Sequence, residues 1–197
     1  MKQVCTFKNL LPVDGELYLI KSFYQPDEAQ TLFSALFHSL AWQQEQIFIY
    51  GRWVKVPRLM CWYGDEGSEY QYSGVNHQPL PWSKPLLLIK QKIQLQYHYS
   101  FNSVMANLYR NGSDSMGCHA DDEKELGTNP VIASLSLGEE RLLRFRYNKS
   151  KKVLDVLLNH GDLLIMAGDI QHHWRHELPK TKKNKTERIN LTFRKII

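Results

Sequence analysis

His119-Ala120-Asp121 sets two metal-binding side chains two positions apart. In extended backbone, residues i and i+2 face the same side, so both side chains reach one ion. Two histidines and one carboxylate leave open coordination positions for a bidentate cosubstrate and for oxygen, the non-haem Fe(II) arrangement. The third ligand must come from a distant strand, and His176, 55 residues after Asp121, leaves room for several strands between them. The same spacing recurs at His160-Gly161-Asp162, but only about ten residues separate it from His172, too few for a barrel to return. Asp162 therefore reads as a turn residue entering a strand, and His172 and His173 as polar loop residues. Taken alone, His119 and Asp121 serve equally well as ordinary polar side chains.

The C-terminal segment tips that balance. In Arg188-Ile189-Asn190-Leu191-Thr192-Phe193-Arg194, period-two alternation puts Arg188, Asn190, Thr192 and Arg194 on one face and the apolar residues on the other. Six residues at ~3.3 Å each separate the two arginines by roughly 20 Å. Guanidinium heads reaching inward along the strand would close on something near the length of a five-carbon dicarboxylate. Arginine forks match carboxylates bidentately. On an earlier strand, Asn107 and Tyr109 share a face and offer an amide and a phenol. The competing reading is the solvated face of an edge strand.

These residues need a scaffold. Asp27 to Leu40 carries Ala29, Leu32, Phe33, Leu36, Phe37 and Leu40 on one stripe, with Asp27 and Glu28 at the positive end, which predicts an amphipathic helix. A second helix is expected from near Ser83, with Pro85 in its first turn, to about Gln96. Between them lie strand candidates Ile47–Tyr50, Trp53–Val56, Leu59–Tyr63 and Glu69–Tyr72, punctuated by Gly51, Gly64 and Gly67. After residue 100 the pattern is all strand: Val104–Tyr109, Val131–Leu137, Leu142–Tyr147, Val153–Leu158, Asp162–Met166 and Arg188–Ile196. The expectation is α+β, with a jelly-roll core in the second half and both helices outside it.

The 197 residues suit one domain. No apolar run approaches the ~20 residues that span a bilayer. The segment Met1 to Lys8 lacks the apolar stretch of a signal peptide. Three widely spaced cysteines, Cys5, Cys61 and Cys118, give neither a disulfide framework nor a zinc knuckle. The expected compartment is reducing: cytoplasmic, or nuclear if the host is eukaryotic. A net charge of +5 permits a polyanionic partner without requiring one.

Together these motifs resemble the AlkB-type Fe(II)- and 2-oxoglutarate-dependent alkylated-nucleic-acid dioxygenases, closest to the branch that prefers double-stranded DNA. The resemblance runs from about Ile47 to Ile197. It rests on Asn107-Leu108-Tyr109-Arg110-Asn111-Gly112, His119-Ala120-Asp121-Asp122-Glu123, Trp174-Arg175-His176 and the Arg188–Lys195 segment. It implies a double-stranded β-helix core over about 99–197, and outer helices with a nucleotide-recognition lid over about 1–98. It implies His119, Asp121 and His176 as iron ligands. It implies Asn107, Tyr109, Arg188, Asn190 and Arg194 as the 2-oxoglutarate site, with Arg188 on the distal carboxylate. The chemistry would use O2, with ascorbate as an in vitro reductant, to hydroxylate an N-linked methyl and release formaldehyde, succinate and CO2.

A base inside a duplex must be extruded to reach buried iron. By the resemblance, Tyr72 and His119 sandwich the flipped base, while Tyr70, Ser73, Asp122 and Glu123 border its polar edge. Carboxylates suit N1-methyladenine or N3-methylcytosine, which alkylation makes cationic. The hairpin Ile47–Trp53 resembles the family's intercalating finger, with Tyr50 and Gly51 at the tip. Tyrosine stands at positions 50 and 72 where relatives carry phenylalanine, and both rings can stack. Arg52, Lys55 and Arg58, then Lys149, Lys151 and Lys152, then Lys180, Lys182, Lys183 and Lys185 flank the expected mouth as phosphate contacts.

Other readings remain open at this level. The same oxygenase could act on RNA, single strands or a protein side chain. Two histidines and a carboxylate also hold hydrolytic zinc, although no H-E-x-x-H is present. A non-catalytic nucleic-acid-binding module would need no intact ligand set. The expected working form is a monomer on DNA.

Overall fold

The computed structural model describes residues 7–49, 51–68, 70–72 and 75–197, with 47–49, 70–72 and 75–77 as backbone elements. The first strand, β1 (Glu16–Ile20), precedes helix α1 (Pro26–Ser39). Pro26 opens α1, Asp27 and Glu28 face its positive end, and Glu28 accepts the Gln25 N–H at 3.3 Å. Two strands, β2 (Gln46–Ile49) and β3 (Arg52–Lys55), form an antiparallel ribbon whose turn includes Gly51 at φ 74°. Next come β4 (Leu59–Gly64) and a second ribbon, β5 (Tyr70–Tyr72) with β6 (Val75–His77). Helix α2 (Lys84–Tyr97) follows, ended by His98 in left-handed backbone at φ 58°.

The remaining strands are β7 (Ser103–Tyr109), β8 (Met116–His119), β9 (Ile132–Gly138), β10 (Arg141–Tyr147), β11 (Val153–Leu158), β12 (Leu163–Ala167), β13 (Trp174–Leu178) and β14 (Arg188–Arg194). A one-turn helix, α3 (Ile170–His173), leads into β13. Two antiparallel sheets result. The large one runs β1-β12-β9-β14-β7-β4 and the small one β11-β10-β13-β8. Because β1 and β4 join the large sheet, the core is not confined to the second half of the chain.

Alternation along β14 builds the layers. Ile189, Leu191 and Phe193 are fully buried against Leu36 of α1 and Leu86, Ile89 and Ile93 of α2. Burying each such side chain stabilises by ~1.5–3 kcal/mol. The opposite face of the large sheet meets the small sheet through Leu17, Ile132, Leu164 and Met166 packed on Leu143, Phe145, Val156, Leu158 and Trp174. Covered on both sides, β14 and β7 bury every residue. β14 lies between β9 and β7, which removes the solvated-edge reading.

Both expected helices form within a residue of their expected bounds, on the outside of the large sheet. Four strands were not expected: β1, β6, β8 and β13. In β13 the inward positions are Trp174, His176 and Leu178. A histidine in the middle of the inward row hides the apolar alternation. In β8, Met-Gly-Cys-His has no β-branched residue to mark a strand.

Candidate metal and cosubstrate centre

β8 and β13 pair antiparallel with His119 directly opposite His176, and the two rings lie 4.3 Å apart. Two residues past His119, the chain turns inward and buries Asp121 to 1% exposure. One ligand atom from each of His119, Asp121 and His176 falls within 4.8 Å of the other two. His119 Nδ1 donates to Gly117 O at 2.8 Å, which leaves its Nε2 lone pair for a metal. Asp121 Oδ2 accepts from Arg194, whereas its Oδ1 is buried with no hydrogen-bond partner. An orphaned buried carboxylate oxygen beside two imidazoles fits a divalent cation.

The electrostatics agree. Burial pushes the His176 imidazole down to about 3, so the ring is neutral and available as a ligand. Burial alone would raise the Asp121 carboxyl. The Arg194 guanidinium above all, with the neighbouring His119 and His176 imidazoles, overrides it and holds the carboxyl well below its usual range. Burial alone would lower His119, and the adjacent Asp121 carboxylate raises it instead.

The large sheet supplies the cosubstrate side. β14 register sets Arg188 opposite Tyr109 and Asn190 opposite Asn107. All four residues line one interior cavity with Arg194, His119, Asp121 and His176. The Arg188 guanidinium lies 5.3 Å over the Tyr109 ring and donates to Ser136 Oγ at 2.8 Å. Its Nε is buried without a partner, and burial pulls its pKa down to about 10. No carboxylate of the described residues pairs with it. A desolvated guanidinium lacking a counterion fits the distal carboxylate of 2-oxoglutarate.

Sequence reasoning missed three supporting side chains. Gln171 on α3, 3% exposed, accepts the Asp121 N–H at 3.0 Å and so fixes the ligand loop to the base of β13. Ser136 holds Arg188, and Ser134 accepts from Asn190 Nδ2 at 2.8 Å. For the serines a signal exists, since they alternate with Ala133, Leu135 and Leu137 in β9. For Gln171 there is none, because a one-turn helix carries no periodicity.

Arg58 requires a correction. It was expected as a phosphate contact at the mouth, yet it is 3% exposed and lines the cavity. There its Nε donates to Asn107 Oδ1 at 2.6 Å. Asp122 is exposed and Glu123 half-buried, and neither is among the described lining residues. Gly51 is exposed at the ribbon turn. Tyr50 and Ser73 lie outside the described residues, as do the side chains of Tyr70 and Tyr72.

Among the lysines, Lys185 is taken by Glu139 at 2.8 Å and Glu140 at 3.2 Å, and Lys149 pairs with Asp14 at 3.3 Å. Lys151, Lys152, Lys180, Lys182 and Lys183 are exposed, as are Arg52 and Lys55. The second His-x-Asp is a turn device. Asp162 accepts the Ser22 and Asn159 N–H groups, each at 2.9 Å, and His160 Nδ1 accepts from Gly138 at 2.7 Å.

Residues 16–194 match the 2OG-Fe(II) oxygenase superfamily. The chain is 38% identical over 90% of its length to the alpha-ketoglutarate-dependent dioxygenase alkB homolog 3 of Bos taurus, and spans 65% of that relative. It is 39% identical over 77% of its length to the DNA oxidative demethylase ALKBH2 of Bos taurus, and spans 58% of that one. The Arabidopsis thaliana ALKBH2 is 33% identical, with 93% of this chain and 67% of the relative covered. The solved structure of OsALKBH1 superposes with a TM-score of 0.62 at 17% identity, covering 94% of this chain and 99% of that one, which supports the fold. On the match across nearly the whole chain and these relatives, the chain belongs to the 2OG-Fe(II) oxygenase superfamily, in its AlkB-type branch.

Proposed function

We propose that this chain oxidatively demethylates alkylated bases in DNA, N1-methyladenine and N3-methylcytosine, after flipping them from a duplex. The observation that carries the reading is one cavity holding both the His119–Asp121–His176 cluster and the buried Arg188 guanidinium, whose Nε has no hydrogen-bond partner and which no carboxylate of the described residues pairs. The ALKBH2 relatives bear the name DNA oxidative demethylase, which supports a nucleic-acid substrate.

Bound Fe(II), with 2-oxoglutarate and O2, supplies the oxidising power for methyl hydroxylation, and the hydroxymethyl then leaves as formaldehyde. His119, Asp121 and His176 hold the metal, with imidazole tautomer and carboxylate orientation fixed by Gly117 O and Arg194. Arg188, braced by Ser136, takes the distal carboxylate of the cosubstrate. Asn107, Tyr109 and Asn190 complete its walls, and the two packed sheets exclude water. Tyr72 and His119 sandwich the flipped base. Tyr70, Ser73, Asp122 and Glu123 border its cationic ring.

The β2–β3 ribbon supports duplex binding. Its β3 strand presents Trp53, Arg52 and Lys55 to solvent, and Trp53 is 63% exposed. An aromatic and basic ribbon suits insertion beside an extruded base and contact with phosphates. The protein acts as a monomer.

The test is mass spectrometry of matched single-stranded and duplex oligonucleotides carrying N1-methyladenine, with Fe(II), 2-oxoglutarate and ascorbate. Loss of one methyl from the duplex, absent in His119→Ala, is the expected result. Unchanged methylated base with succinate still formed would discard the substrate and keep the oxygenase. Loss confined to single strands would discard duplex flipping.

A further inference from the structure

Arg58 follows Pro57 at the root of the β2–β3 ribbon, between β3 and β4. Its Nε donates to Asn107 Oδ1 at 2.6 Å and its Nη1 to Ser115 O at 3.3 Å. Pro57 O in turn accepts the Ser115 N–H at 2.9 Å, just before β8 and His119. On the ribbon side, Gln44 Nε2 donates to Arg58 O at 3.1 Å. One buried residue therefore ties the ribbon root to the approach to the metal strand and to the cosubstrate strand.

The bond to Asn107 also sets a chemical direction. Arginine carries N–H donors and no acceptor, so the Asn107 atom it meets must be the carbonyl oxygen. The amide NH2 is then turned away from Arg58, in a cavity both residues line. Without that partner, no donor on the Arg58 side selects the oxygen end of the amide over its NH2 end.

We propose that Arg58 is a positioning residue for the cosubstrate: it locks the Asn107 carboxamide with its NH2 toward 2-oxoglutarate, so that Asn107 donates to a cosubstrate oxygen. A flipped amide would offer an oxygen to a dianion and repel it. Burial removes Arg58 from phosphate contact and gives it this role instead. The inference rests on the family's cosubstrate and is independent of which base is demethylated.

The experiment measures 2-oxoglutarate binding calorimetrically to Mn(II)-loaded protein, with no turnover and no nucleic acid. Arg58→Met is expected to weaken binding about tenfold, the loss of one hydrogen bond to a charged group, with Mn(II) affinity unchanged. Asn107→Ala should cost a similar factor, and the double variant little more than either. Arg58→Lys keeps the buried charge without the fixed Nε–H direction. It carries the same cycle if the methionine variant does not fold. Additive losses in the double variant would overturn the proposal, because Arg58 would then act without Asn107. Unchanged 2-oxoglutarate affinity, or Mn(II) affinity falling in step, would also overturn it.

Discussion

Arg194 donates to Asp121 Oδ2 from Nη2 at 2.9 Å and from Nε at 3.3 Å, so β14 is bonded directly to the carboxylate of the candidate metal cluster. One carboxylate oxygen is thereby occupied and the other, buried and partnerless, is left for the ion. The pair explains how a carboxylate with 1% exposure stays ionised. In the proposed site, metal and cosubstrate would therefore be held by one electrostatic unit rather than two.

Breaking that unit leaves a buried uncompensated charge. Arg194→Met is expected to destabilise the metal-free protein by about 3–5 kcal/mol and to weaken metal binding about 10–100-fold. Urea unfolding with and without Mn(II) measures both. Added metal should recover part of the lost stability, because it supplies the missing positive charge. Stability within about 0.5 kcal/mol of the parent would contradict the pairing.

The pH dependence of the metal-free protein follows from His176. Its folded value, about 3, lies below the usual 6.5, so the unfolded chain takes up a proton first as pH falls. Stability from this group is complete above 6.5 and is lost as pH drops toward 3. His119, raised by Asp121, has the opposite sign: its contribution is present below 6.5 and fades as pH rises through its folded value. Between pH 6.5 and 5, His160, also lowered by burial, adds to the His176 effect with the same sign, and the deeper burial of His176 makes its share the larger. From His176, unfolding free energy should fall there by up to about 1.4 kcal/mol per pH unit. In His176→Phe that slope should flatten, and a slope that persists would assign it to another group.

Alternation along β14 predicts opposite consequences for neighbours. Phe193 is fully buried and stacks parallel to Trp82 at 6.4 Å, so Phe193→Ala should cost about 3–5 kcal/mol while folded molecules still bind 2-oxoglutarate. Arg188→Met should do the reverse, keeping the fold while abolishing measurable cosubstrate binding. Thermal unfolding and calorimetry on the two variants separate the faces.

That alternation is the part of the site most legible in the sequence, because two arginines on one face of an otherwise apolar strand have few innocent explanations. Helix α1 was legible for the same reason, a clean apolar stripe, and α2 from its start at Ser83 with Pro85 in the first turn. β8 and β13 were not, since β8 has no β-branched residue and His176 interrupts the apolar inward row of β13. Arg58 was misplaced because a basic residue beside a hairpin reads as surface, and only the paired strands β4 and β7 reveal that it reaches Asn107. Gln171 needed the fold itself, as its partner lies 50 residues away.

Trp53 offers a test of the ribbon free of stability effects. At 63% exposure, Trp53→Ala should change unfolding free energy by less than about 0.5 kcal/mol. Duplex affinity should fall about 5–150-fold, the range of one lost base–aromatic contact. Unchanged duplex affinity would remove the ribbon from the DNA interface.

The most direct measurement is the ratio of formaldehyde to succinate formed on a duplex containing N1-methyladenine. Oxidation coupled in this cavity predicts one formaldehyde per succinate, both absent in His119→Ala. Succinate without formaldehyde, from folded Fe(II)-loaded protein on that duplex, would contradict the account.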